Sequence, residues 1–314
     1  MKKAKVVVIG GGTGLSVLLR GLKTFPVDIS AIVTVADDGG SSGRLRKELS
    51  IPPPGDVRNV LIALSEVEPL VEELFQHRFE NGNGLSGHSL GNLLLAGMTS
   101  ITGDFSRGVQ ELSRVLNVKG KVLPAANEEI VLHAEYEDGT YIEGESKIPL
   151  SGKKIKRVFL EPSHPEPLHE SLEAIENADL LVFGPGSLYT SIIPNLLVPQ
   201  MADAIRNSKA WKVYICNVMT QPGETDQFTA ADHVQAIYDH VGDHFLNAVL
   251  VNTQPIPYSY AQRYAEEGAE EVRIDEARLK KMGLDIFGDD LLYFENHLLR
   301  HDASKLSQRL VSML

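Results

Sequence analysis

Val6-Val7-Val8-Ile9-Gly10-Gly11-Gly12-Thr13-Gly14 decides the fold. An unbroken β-branched run reads as a strand buried on both faces, the habit of a parallel sheet. The glycines that follow form a loop. Beyond them Leu15, Leu18, Leu19 and Leu22 fall on one helical stripe. A second strand is expected over residues 29–36, ending in Asp37-Asp38-Gly39-Gly40-Ser41-Ser42-Gly43. Strand, loop, helix and strand in that order predict an α/β protein. Its core is a Rossmann-like, doubly wound, mainly parallel sheet with right-handed crossovers.

Working outward, Asp56 after Pro52-Pro53-Pro54-Gly55 is expected to cap a helix that turns Val57, Val60, Leu61 and Leu64 inward. Further helices are expected from Pro69, over 90–101, and around Phe105 to Leu116. Over about 121–160 the period changes to two. Asp138-Gly139 between two alternating runs signals a hairpin. That stretch is read as a small antiparallel β addition to one α/β nucleotide-binding domain covering residues 1–314. Leu180-Leu181-Val182-Phe183, Val213-Tyr214-Ile215-Cys216 and Ala248-Val249-Leu250-Val251 are three more buried strands.

Composition narrows the partners. With 30 Lys and Arg against 42 Asp and Glu the net charge is -12, so nucleic acid and anionic membranes are not expected partners. A small anion is still admissible, because a few arginines and backbone N–H groups suffice for it. Cys216 is the lone cysteine, which excludes an internal disulfide, fits the cytoplasm and reads as a core residue. The basic start, Met1-Lys2-Lys3-Ala4-Lys5, precedes too short an apolar run for a signal peptide. No stretch is long enough for a transmembrane segment. A protein partner and homo-oligomerisation are both compatible with such a chain.

The candidate site follows from what ends each strand. Gly11, Gly12, Thr13 and Gly14 follow the first, and Asp37 and Asp38 follow the second. Gly184, Gly186 and Ser187, then Asn217 and Thr220, then Asn252 and Thr253, follow the later ones. In a parallel sheet these tips share one side, so all five loops are expected at a single crevice holding a phosphate-bearing, nucleotide-like ligand. The first loop lacks the Lys-Ser/Thr pair of a Walker A motif, and as a dinucleotide fingerprint its third glycine is missing. Asp37 nevertheless stands near the place of a ribose-binding acid, which keeps NAD(P) open. Gly87-His88-Ser89-Leu90-Gly91 matches a nucleophile elbow in letters, but polar, glycine-rich residues precede it where a strand is required. His88, Ser89 and Asn92 are instead read as a second anion-receptive helix start. Asp37, Asp38 and Asp56 could hold Mg2+, with turn and cap chemistry as the alternative. Arg44, Arg46, Lys47 and Arg58 bring positive charge nearby, with a solvated charge run as the alternative for the first three.

Six ordered motifs carry a family resemblance. They are the first glycine loop, Ala36-Asp37-Asp38-Gly39-Gly40-Ser41-Ser42-Gly43, Pro53-Pro54-Gly55-Asp56-Val57-Arg58-Asn59, Gly87-His88-Ser89-Leu90-Gly91-Asn92, Gly184-Pro185-Gly186-Ser187-Leu188-Tyr189-Thr190-Ser191, and the run from Cys216-Asn217 to Thr225. Together they resemble the YvcK-like gluconeogenesis-factor branch of the CofD (2-phospho-L-lactate transferase) superfamily. That resemblance implies a Rossmann-like fold, UDP-sugar binding, notably of UDP-N-acetylglucosamine, and a role in carbon metabolism and cell morphology. It also implies Asn59, Tyr264 and Arg300 as pocket residues. Tyr could stack on a base, and Arg could pair with a diphosphate. The transferase branch uses Mg2+ at acids that look equivalent to Asp37 or Asp38 and to Asp56; Asp38 and Asp56 are taken as the metal pair. The residues around those acids follow the YvcK-like pattern, not the transferase one. Three readings are therefore carried, in order: a UDP-sugar sensor with no catalytic residue, a CofD-like Mg-dependent transferase, and an NAD(P)-binding oxidoreductase.

Overall fold

In the computed structural model, which describes residues 3–295 and 298–314, the β-branched run does become a central strand, β1 (Lys5–Gly10). Met1 and Lys2 of the basic start lie outside the described residues. The other strands are β2 (Asp28–Val33), β3 (Lys121–Pro124), β4 (Val131–Tyr136), β5 (Tyr141–Glu143), β6 (Ile155–Glu161), β7 (Leu180–Phe183), β8 (Trp211–Ile215), β9 (Ala248–Asn252), β10 (Asp285–Asp289), β11 (Leu292–Glu295) and β12 (Leu298–His301). Seven of them form one sheet in the order β10-β9-β8-β7-β1-β2-β3, every pair parallel. Helices flank this sheet, as a Rossmann-like α/β fold requires.

The strand order explains where a ligand can go. From β1 the chain winds one way through β2 and β3, then returns to the other side of β1 with β7 and continues outward. The reversal between β1 and β7 parts the connecting loops and leaves a crevice at the strands' carboxyl ends. Val8, Ile9, Leu181, Val182 and Phe183 are wholly buried beneath it. Each such side chain contributes about 1.5–3 kcal/mol by leaving water. Leu15, Leu18, Leu19 and Leu22 of the helix Gly12–Leu22 are buried too, as their spacing predicts. Gly21 on that helix lies against the backbone of Ala303, so the C-terminal helix Ala303–Val311 packs directly upon it.

Three boundaries differ from the sequence expectation. β2 stops at Val33 rather than 36, its last bond on the β3 side being the one the Val33 carbonyl accepts from the Ala125 N–H at 2.9 Å. Residues 121–124 belong to the main sheet as its edge, so the antiparallel addition is β4, β5 and β6 only. The helix Gly55–Leu64 is preceded by Pro54 at its cap position, and Asp56 sits inside the first turn. Its carboxylate instead accepts a hydrogen bond from the backbone N–H of Gly12. β10 was not foreseen; Asp285, Gly288 and Asp289 break the apolar run by which the other parallel strands are read.

Cys216 is buried, and burial raises its thiol pKa, as expected of a core residue. Among the described residues no helix is long and apolar enough to cross a membrane.

Candidate functional site

The tips of β1, β7 and β8 open into one cavity of about 510 Å3. Its floor is the start of the helix Gly12–Leu22, which has no side-chain cap, so its first-turn N–H groups are available to an anion. Two glycines make this possible. Gly12 has φ +66, in the left-handed region that favours glycine. Gly14 sits so close to the next loop that a Cβ there would come within 2.8 Å of the Pro185 carbonyl oxygen. Gly186 and Ser187 form the facing wall. Ser187 begins the turn Leu188–Ile192 and accepts from the Thr190 N–H at 3.2 Å. The Ser187 hydroxyl donates to Glu224, and the Thr190 hydroxyl donates to Ser187 Oγ at 2.8 Å.

The opposite wall comes from far along the chain. Tyr264 on the helix Tyr258–Glu266 accepts from the Leu299 N–H at 3.1 Å. That bond ties the helix to the β11–β12 hairpin, whose Leu299, Arg300 and His301 line the cavity. Val218, Met219, Tyr264 and Leu299 give this side an apolar surface, while Asn217, Thr220 and Gln221 supply polar edges. Burial drives His301 down to about 4, so it is a neutral imidazole at physiological pH. Arg300 is then the one cationic side chain among the lining residues. Glu145 and Glu224 also line the cavity, and burial raises the pKa of both. For Glu145 the value reaches about 8, through burial first and then the charges of Asp37 and Asp56.

A second pocket of about 250 Å3 lies beyond the β2 tip. Asp37, Gly39, Gly40, Ser41, Ser42, Gly55, Asp56, Arg58, Asn59, Arg78 and Asn92 line it. Burial, reinforced by the charge of Asp37, lifts Asp56 to about 7. Arg58 donates to Ser89 Oγ at 2.5 Å and to Asn59 Oδ1 at 2.6 Å. Because Asp56 lines this pocket and also receives the Gly12 N–H, it stands between the two compartments.

The residues expected at one crevice are thus divided. Gly11, Gly12, Thr13, Gly14, Gly186, Ser187, Asn217, Thr220, Tyr264 and Arg300 line the large cavity. Asp37, Asp56, Arg58, Asn59 and Asn92 line the small one. The remainder have structural contacts. Asp38 accepts from the Ser146 N–H at 2.8 Å, so Asp37 and not Asp38 is the aspartate that shares a pocket with Asp56. Arg44 donates to the Ser86 carbonyl at 2.7 Å. His88 Nδ1 lies 2.9 Å from Ser41 Oγ, and burial together with Arg44 lowers its pKa. Ser89 caps the helix Leu90–Thr102. Gly184 ends β7 with φ +85 and precedes the wall residue Pro185. Arg46, considered as part of a solvated run, is buried and pairs with Glu129 at 3.2 Å. Five loops do not meet at one place: Asn252, which ends β9, and Thr253, which follows it, face other clefts.

Glu145, Thr190, Glu224 and His301 were not singled out from the sequence, although each lines the large cavity. Thr190 and Glu224 at least fall inside quoted motifs. Glu145 lies just after β5 in the antiparallel addition, and no local pattern links it to the β1 tip.

As to a metal, among the described residues no group of three or more His, Cys, Asp or Glu is arranged to hold one. Asp37 and Asp56 still supply two hard oxygen donors whose mutual repulsion a divalent cation would relieve, and Mg2+ commonly takes only one or two carboxylates.

Comparison with known proteins places this geometry in context. A family model described as 2-phospho-L-lactate transferase CofD matches residues 6–292. A protein of Halalkalibacterium halodurans named gluconeogenesis factor is 67% identical over 311 residues, covering 99% of this chain and 97% of the relative. One of Bacillus subtilis with the same name is 60% identical over 313 residues, covering 100% of this chain and 99% of that protein. A crystal structure of a Bacillus halodurans protein superposes with a TM-score of 0.97 at 67% identity, covering 99% of this chain and 100% of the other. A second crystal structure from that organism, of a protein described as a member of the UPF0052 family, gives 0.96 at 66% identity.

Proposed function

The chain belongs to the CofD family, and from that premise we propose that it is a cytoplasmic regulatory protein that binds a UDP-sugar, UDP-N-acetylglucosamine in particular, without consuming it. Its relatives' name, gluconeogenesis factor, supports a role in gluconeogenic growth, and control of cell morphology belongs to the same reading. The observation that carries the proposal is the make-up of the large cavity: an uncapped helix start on one side and Arg300 with Tyr264 on the other. The diphosphate lies over the N–H groups of Thr13 and Gly14, where the helix dipole favours negative charge. Arg300 closes on it from above with a planar fork of donors. The uracil lies on the apolar face of Val218, Met219 and Tyr264, with Asn217 and Thr220 at its edge. The sugar reaches toward Glu145 and Thr190.

UDP-N-acetylglucosamine at millimolar concentration is expected to raise the melting temperature, as a ligand of the native state must. Replacing Arg300 by Ala should weaken the binding about tenfold or more. No thermal shift with the unmodified chain would remove the reading.

A second reading, a CofD-like transferase, draws on the convergence of Asp37, Asp56 and Glu145: the charge of Asp37 raises Asp56, and those of Asp37 and Asp56 raise Glu145. Mg2+ held by Asp37 and Asp56 would supply charge neutralisation for a nucleotide diphosphate. Here the chain's own part is to orient the donor over Gly12; the proton that burial keeps on Asp56 near neutrality would leave when the carboxylate takes a cation.

A further inference from the structure

We propose that the smaller pocket is a separate ligand site, built for a small hydroxylated phosphate monoester. The phosphate would meet Arg58 and Arg78, and a hydroxyl would meet Asp37 and Asp56. The proposal does not rest on the UDP-sugar reading, since that ligand occupies the other compartment.

Charge placement is the first reason. Arg58 and Arg78 line the same pocket, and the charge of Arg78 acts on Arg58. Neither joins any of the ion pairs found among the described residues. Arg78 is held only through a bond from Nη1 to the Gly87 carbonyl at 2.6 Å. Two guanidinium groups lining one pocket, with Asp56 and Asp37 acting on Arg58 by charge but outside ion-pair distance, are an arrangement that a dianionic phosphate completes.

Unfilled hydrogen-bonding capacity is the second. Asn92, only 2% exposed, lines the pocket, and its Oδ1 has no partner. The Nδ2 end reaches Ser41 Oγ at 3.1 Å and Ser42 Oγ at 3.4 Å. Turning the amide by half a rotation would let those hydroxyls donate to the oxygen and free the NH2 for a ligand. The buried Nε of Arg58 is likewise unpartnered. Buried polar atoms are seldom left so, because each forgoes its bond to water. Two helices, Gly40–Leu49 and Gly55–Leu64, start at the pocket without side-chain caps and add to its attraction for an anion.

The pocket also holds two carboxyl groups, which selects among anions. Asp37 and Asp56 would repel a second negative group but accept a hydroxyl. Asp37 already takes the Gly39 N–H at 2.8 Å on one oxygen. A polyol phosphate therefore fits better than a dicarboxylate or a diphosphate.

Isothermal titration of the full chain with glycerol phosphate and with inorganic phosphate tests this. Each titration is run with and without saturating UDP-N-acetylglucosamine. Both probes should bind saturably, glycerol phosphate about tenfold the tighter through its hydroxyls, with little change when the sugar nucleotide is present. Arg78→Gln, an exposed position whose fold circular dichroism would check, should weaken both about tenfold, and Arg78→Lys should restore part of the loss. If neither probe binds, if Arg78→Gln binds as well as the original, or if UDP-N-acetylglucosamine displaces both probes, the proposal is overturned. Equal affinity for the two probes would overturn the monoester assignment in favour of free phosphate. Failure of UDP-N-acetylglucosamine to bind, with phosphate still binding, would strike only the earlier reading.

Discussion

The two compartments are made by the same local device and filled in opposite ways. At each, a parallel strand ends, glycines turn the chain, and a helix begins without a side-chain cap. At the β1 tip the glycines bring backbone to backbone, and the only cation comes from the distant β11–β12 hairpin. At the β2 tip the lining is side-chain charge of both signs, two guanidiniums and two carboxyl groups. The first surface suits a long ligand held by amides along its length. The second suits a short ligand that carries both an anion and a hydroxyl. Loop geometry alone would have called them equivalent; the residues that reach each loop from elsewhere distinguish them.

The largest effect expected is at the backbone contact that shapes the first compartment. Gly14→Val places a side chain against the Pro185 carbonyl, a rigid neighbour. Overpacking of this kind should cost about 2–3 kcal/mol of stability in denaturant titration. UDP-sugar affinity should fall by more than about tenfold, while phosphate binding in the second compartment is retained. Loss of both together would mean that the compartments are one site.

Next comes the pH behaviour of the dividing wall. Asp56 is raised from 3.8 to about 7, so between those values the folded protein holds a proton that the unfolded chain has released. Stability from this group is therefore fullest below about pH 4 and is lost as pH rises through about 7. Glu145, raised to about 8, extends the loss upward. In melting curves Asp56→Asn should flatten the decline between pH 5 and 8, roughly a 1–2 kcal/mol effect. Mg2+ should raise the melting temperature of the unmodified protein most at the alkaline end. An unchanged slope in Asp56→Asn would show that this carboxyl is not raised in the folded protein. Under the transferase reading the same variant loses turnover with nucleotide-diphosphate donors; full turnover would remove that reading.

The smallest effect is at the seam of the distant wall. Tyr264→Phe deletes the acceptor of the Leu299 N–H and should weaken the UDP-sugar by roughly 0.5–1.5 kcal/mol, with phosphate affinity unaltered. A loss as large as that for Arg300→Ala would assign the Tyr264 hydroxyl its own contact with the ligand, beyond the face that carries the uracil.

Much of this was readable without coordinates. β1, β7, β8 and β9 announce themselves as apolar runs because both faces are buried, and the glycines after β1 mark the turn by which the helix meets a ligand. β10 escaped because its place at the sheet's edge leaves it half-buried and without an apolar run, and β3, a four-residue edge strand, merges with the antiparallel stretch that follows it. Asp56 was recognised as important, but its partner was not, since a bond to Gly12 spans more chain than any cap rule describes. Tyr264 and Arg300 came only through family resemblance; composition and spacing around them carry no signal.

What the sequence settled by itself is the class of fold, its strand tips and the loops that close them, for these follow from the period of hydrophobic burial and from glycine's freedom, both local properties. Tertiary structure alone decided that Glu145, Arg300 and His301 join the first loop and that Arg78 and Asn92 join the second. It also decided that the acids split between the two. Those meetings depend on how the sheet reverses at β1 and on which loops then come within a few ångströms, and no stretch of chain encodes a distance to another.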